Sequence, residues 1–327
     1  MHRQSPPGCL IGRVAAGLVL LFLLAGAGGM AYGQASDSTR TPSSAKKASR
    51  ALSKHSKASS RRRARPRHRR RRASQASRRR ETARIRRAFV ASSELRPMAQ
   101  QLATLRTPAA YAGVTAYANR HSGDAAAAAR LALGHAYLLD HRYAEAVENF
   151  RRVDRESAEL ADIADFLAAE ADHDAGNQAD AETLLHGFST RYPDSIFVDQ
   201  APEVEASVLL ALNNPEAARN VLAAAADTDA ADRVGYELAL AQVEDALSNQ
   251  GAAIADYKRL LLDHPLSGEA QAARARLTAL GAESTLTLAE LRSLGDAYYS
   301  AGRYRAAAEQ YRALLAHAAG LSGEARN

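Results

Sequence analysis

A five-residue phrase occurs twice in this chain. Leu133-Gly134-His135-Ala136-Tyr137, followed by Arg142-Tyr143, Ala146 and Phe150, returns far downstream as Leu294-Gly295-Asp296-Ala297-Tyr298, then Arg303-Tyr304, Ala307 and Tyr311. Self-similarity of this kind constrains the fold strongly. One copy of a repeat cannot bury its apolar face alone, so the copies must stack. Chains built this way bind or scaffold more often than they catalyse, which turns the question from a reaction to a partner.

Weaker copies lie between the two strong ones. Ala168-Ala169 precedes a turn at Gly176-Asn177, and Ala181, Leu185 and Phe188 then lead to Pro193. Leu209 and Leu212 precede Asn213-Asn214-Pro215, with Ala218 and Leu222 beyond; Leu240-Ala241 precedes Asn249-Gln250-Gly251, with Ala253, Tyr257 and Leu260 leading to Pro265. The first three steps of this phase are nearly equal. The last, into the Leu294 copy, is longer and leaves room for one more helix, Gly268 to Leu280. Alanine is abundant, strand-like alternation is missing, and the prolines fall between helical segments. The expected fold over residues 88–327 is therefore all-α, a helical-hairpin solenoid of about five pairs.

The pattern resembles the tetratricopeptide repeat, a helix-turn-helix unit of about 34 residues. The resemblance is carried by 127–160 and 288–320, less strongly by 162–195 and 234–267, and weakly by 199–230; residues 88–126 read as a degenerate lead-in. It assigns packing roles. Gly134 and Gly295 let the second helix of a pair approach the first, and Tyr137 and Tyr298 fill the space between helices. Ala146 and Ala307 keep the crossing thin, and Phe150 or Tyr311 closes the core against the next unit. Leu133 and Leu294 complete the set. Pro193 and Pro265 stop one helix before the next begins.

The resemblance also places a partner, a protein or peptide, on the concave face lined by the first helix of each pair. Candidate groove residues are His135, Glu170, Ser207, Gln242 and Asp296, with Leu138, His173, Asp245 and Tyr299 one turn on. This set carries acids and amides but little positive charge, so a neutral or basic partner suits it better than an acidic tail.

Charge divides the chain. Residues 40–87 hold 21 Lys and Arg against one acid, Glu81, whereas residues 88–327 hold 20 Lys and Arg against 34 Asp and Glu. The overall +7 hides a very basic arm on an acidic body. Residues 34–87 are rich in Ser, Ala, Lys and Arg with almost no large apolar side chain, and are read as a disordered basic segment. Runs such as Arg61-Arg62-Arg63 and Arg69-Arg70-Arg71-Arg72 attract polyanions. Without interleaved aromatics or a folded reader motif, nucleic acid is disfavoured; residues 40–87 read first as a solvated tether with weak non-specific attraction, and second as an anchor to an anionic envelope surface or the cell wall.

Residues 1–33 read as a signal peptide: Arg3 and Arg13, an apolar run from Val14 to Met30, then Ala31-Tyr32-Gly33 at a small-residue cleavage site. That places the mature protein in the periplasm or cell envelope. Arg40, Lys46, Lys47 and Arg50 follow the run closely and oppose translocation. They keep open an inner-membrane anchor through residues 14–31 with a cytosolic adaptor behind it, its arm binding nucleic acid or anionic membrane. Cys9 is the single cysteine, so a chain cut after Gly33 has no thiol chemistry.

Export signal, Ala-rich helical pairs and the Arg191-Tyr192-Pro193-Asp194-Ser195 turn are together similar to the N-terminal superhelical region of bacterial soluble lytic murein transglycosylases, enzymes of peptidoglycan. The motifs of that family's enzyme domain are missing. Arg155-Glu156-Ser157-Ala158 copies only a fragment, and neither the Gly-Leu-Met-Gln nor the Ala-Tyr-Asn-Ala-Gly-like stretch follows. The resemblance implies the helical accessory region of a truncated enzyme, in keeping with Gly320–Asn327 ending just past the last pair without a capping helix. No catalytic, cofactor-binding or metal-ligating set is nominated; His173 between Asp172 and Asp174 reads as a surface cluster.

Overall fold

The computed structural model of the protein describes residues 93–324. The expected signal peptide (1–33) and basic segment (34–87) lie outside the described residues. Among the described residues every regular element is helical and there is no strand. The order opens with α1 (Leu95–Leu105), α2 (Pro108–Arg120), α3 (Asp124–Leu139), α4 (Tyr143–Glu156), α5 (Ala161–Ala175), α6 (Gln178–Leu185) and a short α7 (Phe188–Arg191). It continues with α8 (Ala201–Ala211), α9 (Pro215–Ala225), α10 (Val234–Ala246), α11 (Gln250–Asp263), α12 (Gly268–Ala279), α13 (Leu288–Ser300) and α14 (Tyr304–Glu324). Among the described residues no helix is long and apolar enough to cross a membrane.

Most helices adjacent in sequence pack against each other, and several also meet the helix after next: α1 with α3, α3 with α5, α8 with α10. The turns explain the regularity. α12 ends at Gly281, of positive φ, with the Ala282 amide on the Leu277 carbonyl at 2.8 Å, and five helices in the phase of the repeats (α3, α5, α8, α10 and α13) end likewise, in order at His141, Gly176, Asn213, Ser248 and Gly302. In each of these five the next amide reaches back to a carbonyl in the last turn of the helix: Arg142 to Tyr137, Asn177 to Asp172, Asn214 to Leu209, Asn249 to Glu244 and Arg303 to Tyr298, all at 2.8–2.9 Å. This left-handed cap closes the helix and turns the chain into the next one. The five caps keep the phase read from sequence, near-equal steps as far as Ser248 and a longer one to Gly302. Gly251, grouped above with a turn, sits instead in the first turn of α11.

Ser248 holds φ at 63°. A side chain there costs about 1–2 kcal/mol, part of which returns as glycine's larger unfolded-state entropy. Ser248→Gly is expected to raise stability by about 1 kcal/mol, read as a higher urea midpoint at unchanged slope; a lower midpoint would contradict this account of the turn.

The two strong copies share a second device. A Cβ placed on Gly134 stands 2.5–2.9 Å from ring atoms of Phe150, and one on Gly295 stands 2.5–3.0 Å from the ring of Tyr311. Each aromatic thus rests on a bare stretch of the first helix of its own pair. Leu133, Ala146, Phe150, Leu294, Tyr298 and Ala307 are buried around these seats, while Tyr137 and Tyr311 are half-buried.

The lead-in is more ordered than its sequence promised. Residues 95–120 form the α1–α2 pair, tied to α3 through Asp140, which receives the Arg106 guanidinium at 2.8 Å and the Tyr111 hydroxyl at 2.8 Å. Tyr111 stacks on Tyr137 at 4.5 Å, and Arg142 lies over the Tyr137 ring at 4.5 Å. The helix expected to run from Ala181 through Phe188 breaks at Gly187, whose φ is +66°. The break turns Phe188 toward Phe166, which itself stacks on Phe197 at 4.2 Å. The additional helix expected between Gly268 and Leu280 is present as α12. Buried apolar side chains gather in three clusters in chain order: α1 to the start of α8, α8 to α10, and α10 to α14.

Candidate interaction face

The positions expected to line a groove do not share one environment. His135 and Glu170 are buried, Ser207 and Gln242 are half-buried, and Asp296 and Tyr299 are exposed. The physical reason lies in the neighbours. α3 receives α1 on one side and α5 on the other, and α5 is packed by α3, α4, α6 and α8. Both are buried nearly all round, so neither turns a free face outward. Among the described residues neither ring nitrogen of His135 has a hydrogen-bond partner. Burial, helped by the nearby Arg106 charge, lowers its pKa to about 4, so it packs as a neutral ring.

Toward the C-terminal pairs the same row opens. Asp296 accepts a hydrogen bond from the Tyr311 hydroxyl at 2.7 Å, and Tyr299, 60 % exposed, meets Tyr304 edge to face at 5.4 Å. Of the second row, Leu138 is buried, the His173 ring contacts the Gln178 amide at 2.5 Å, and Asp245 is bound by Arg276. The Glu156 fragment is occupied structurally, its carboxylate 3.4 Å from Arg130, and Ser157 donates to Asp124 at 2.6 Å.

The residues that dominate the electrostatics are others. Residues 154–205 hold 14 Asp and Glu against two arginines, Arg155 and Arg191. This concentration was readable from sequence, but averaging over the whole body conceals it. The fold carries six of these acids (Asp162, Asp165, Glu170, Asp172, Asp199 and Glu205) into buried positions on α5 and at the start of α8. A carboxylate taken out of water needs a cation or several donors to stay ionised. Asp165 has both, Arg191 at 3.0 Å and the Tyr192 hydroxyl at 2.8 Å, which gives the Tyr192-Pro193-Asp194 turn its anchoring role. Asp172 accepts from Arg151 at 3.3 Å and from Asn177 at 3.2 Å.

Compensation is incomplete elsewhere. Burial raises Asp172 despite Arg151 and Asn177. Loss of water, followed by the Asp165 charge, lifts Asp154 to about 6. Glu203 is raised by burial although Arg233 grips both its oxygens at 2.8 and 3.1 Å; a Cβ on Gly235 falls 2.5–2.9 Å from that carboxylate, so the glycine makes room for the pair. Glu205 is the extreme case: burial pushes it up to about 7, and its nearest cationic group among the described residues is the exposed His186 imidazole at 3.8 Å. Glu182 of α6 approaches the same imidazole nitrogen at 3.5 Å. Acids from two helices thus converge on one weak base. Chemically the region is a sink for positive charge. No protein-family model matches this chain, and no curated protein matches it in sequence.

Proposed function

We propose that the chain is an exported scaffold of the bacterial envelope, a tetratricopeptide-like solenoid whose work is to hold another protein. What supports the reading is the recurring hairpin: one left-handed cap at five turns in the phase of the repeats, and a glycine seat for an aromatic ring in both strong copies. Each device serves close stacking of helical pairs, and neither brings reactive groups together. The likeness to the helical region of lytic murein transglycosylases supplies the setting, peptidoglycan in the periplasm, and the apolar run at 14–30 supplies the route. The acid-rich stretch 154–205 makes the partner basic.

N-terminal sequencing of protein recovered from cell fractions tests the route. A periplasmic product beginning near Gln34 is expected; a chain beginning at Met1 in the cytosol overturns export and favours the anchored or cytosolic adaptor. Anisotropy of labelled Arg-rich and Glu-rich peptides of equal length tests the partner. The Arg-rich peptide is expected to bind at least about tenfold tighter, and equal or reversed affinities overturn a basic partner.

A further inference from the structure

The chain carries its own candidate for the basic partner. Residues 61–87 contain 15 arginines and one acid, Glu81, and they end shortly before the first described position. We propose that this segment docks in cis on the acidic face formed by α6 and the start of α8, an inference that rests on the reading of that face as the receptor for a basic partner.

Three observations carry it. The charges are complementary: residues 154–205 hold 14 acids against two arginines, eight of those acids outside the buried set, and residues 61–87 hold 15 arginines against one acid. The face holds a carboxylate that needs a cation: Glu205 is 8 % exposed, and among the described residues its nearest cationic group is the His186 imidazole at 3.8 Å. A guanidinium suits that position. It is planar, permanently charged and less strongly hydrated than an ammonium, and it offers two parallel donors to a carboxylate. A metal ion suits it less, because among the described residues no three ligating side chains converge.

The third observation is reach. α1 is followed along the stack by α3, α5 and α8, so Glu205 lies about three interaxial spacings of 8–10 Å away, roughly 30 Å. The number of residues separating Arg72 from Leu95 gives a maximum reach of roughly 70 Å, well beyond that distance. Attachment at that range keeps the segment at an effective concentration near millimolar. Docking then holds the arm away from envelope polyanions and covers the face until a partner of higher affinity, or higher salt, displaces it.

Energy transfer in the full chain tests the idea. With Cys9→Ser, dyes at Ser77→Cys and at Thr183→Cys on the exposed side of α6 report the separation of arm and face. Efficient transfer is expected at about 0.1 M NaCl, falling at least about twofold at about 1 M, as the screening length shrinks from about 10 Å to about 3 Å. Asp180→Asn/Glu182→Gln/Glu205→Gln is expected to reproduce the high-salt value at about 0.1 M, with an unchanged helical circular dichroism signal certifying the fold. Transfer insensitive to both salt and the triple substitution overturns docking. Transfer appearing only when donor-labelled and acceptor-labelled molecules are mixed overturns docking in cis, because the arm then belongs to a second copy. Either failure leaves the peptide-binding result standing, so this inference and the reading beneath it fail separately.

Discussion

Gly134→Ala is expected to destabilise the protein by about 1–3 kcal/mol, a large effect for one added methyl group. The new Cβ falls 2.5–2.9 Å from three ring atoms of Phe150, well inside contact distance. Phe150 is fully buried among Leu133, Ala146, Val153 and their neighbours, so its ring cannot step aside without moving the pair of helices. The contrast with the second copy makes the expectation specific. Gly295→Ala meets Tyr311 equally closely, but that ring is half-buried and its hydroxyl is held by Asp296, which is exposed. Its penalty is expected to be less than about half as large. Urea unfolding of Gly134→Ala, Phe150→Leu and the double variant gives a further check. The smaller Leu relieves the overlap, so the double variant is expected to lose at least about 1 kcal/mol less than the sum of the singles. A Gly134→Ala protein within about 0.5 kcal/mol of the parent, or strict additivity, rules out the seat as the contact that sets helix approach.

Glu205→Gln is expected to stabilise the protein at pH 8 and to leave it nearly unchanged at pH 5. Burial lifts this carboxyl from its ordinary value near 4.5 to about 7. The folded chain therefore holds the proton over a pH range in which the unfolded chain has released it, and stability falls as pH rises. The contribution is intact below about pH 4.5, declines across the interval, and is fully lost above about pH 7. A shift of this size corresponds to a change on the order of 3 kcal/mol. Glutamine keeps the shape and removes the titration, so the stability of the variant no longer falls across this window. The comparison belongs at about 0.5 M NaCl, where a docked basic segment is screened off and cannot supply the missing cation. Parallel curves for parent and variant between pH 5 and 8 defeat the assignment of Glu205 as an uncompensated buried acid.

Much of the local architecture could be read before any coordinates. Gly134 and Gly295 announce a close helix crossing because a missing Cβ lets two helices approach, while the rings that fill the gaps, Phe150 and Tyr311, are identified by the packing. The turns at Gly176-Asn177 and Asn213-Asn214, and within a residue or two the one at Ser248, were read from the sequence, since such a turn is a matter of a few consecutive residues. The break at Gly187 escaped notice because an isolated glycine in a helical pattern is usually tolerated; here Phe166 and Phe197 offer Phe188 a better packing site outside a continuous helix. The α1–α2 pair escaped because Tyr111 and Arg106 act on residues of a later hairpin, Tyr137 and Asp140.

The site was less legible than the fold. A repeat phase names equivalent positions such as His135, Glu170, Gln242 and Asp296, but exposure is decided by what lies across from each of them. α1 and α5 enclose the first copy, while the equivalent residue in the last pair, Asp296, stays in water. The same holds for charge. The acids of 154–205 are written plainly in the chain, yet only packing makes Asp165 a satisfied anchor under Arg191 and Tyr192 and leaves Glu205 short of a cation. Sequence sufficed for the helical elements and several of the turns between them, because those depend on residues close together along one chain. Which carboxylates are buried, which are paired and which face a partner depends on distant elements that displace their water, and only the packed structure sets that.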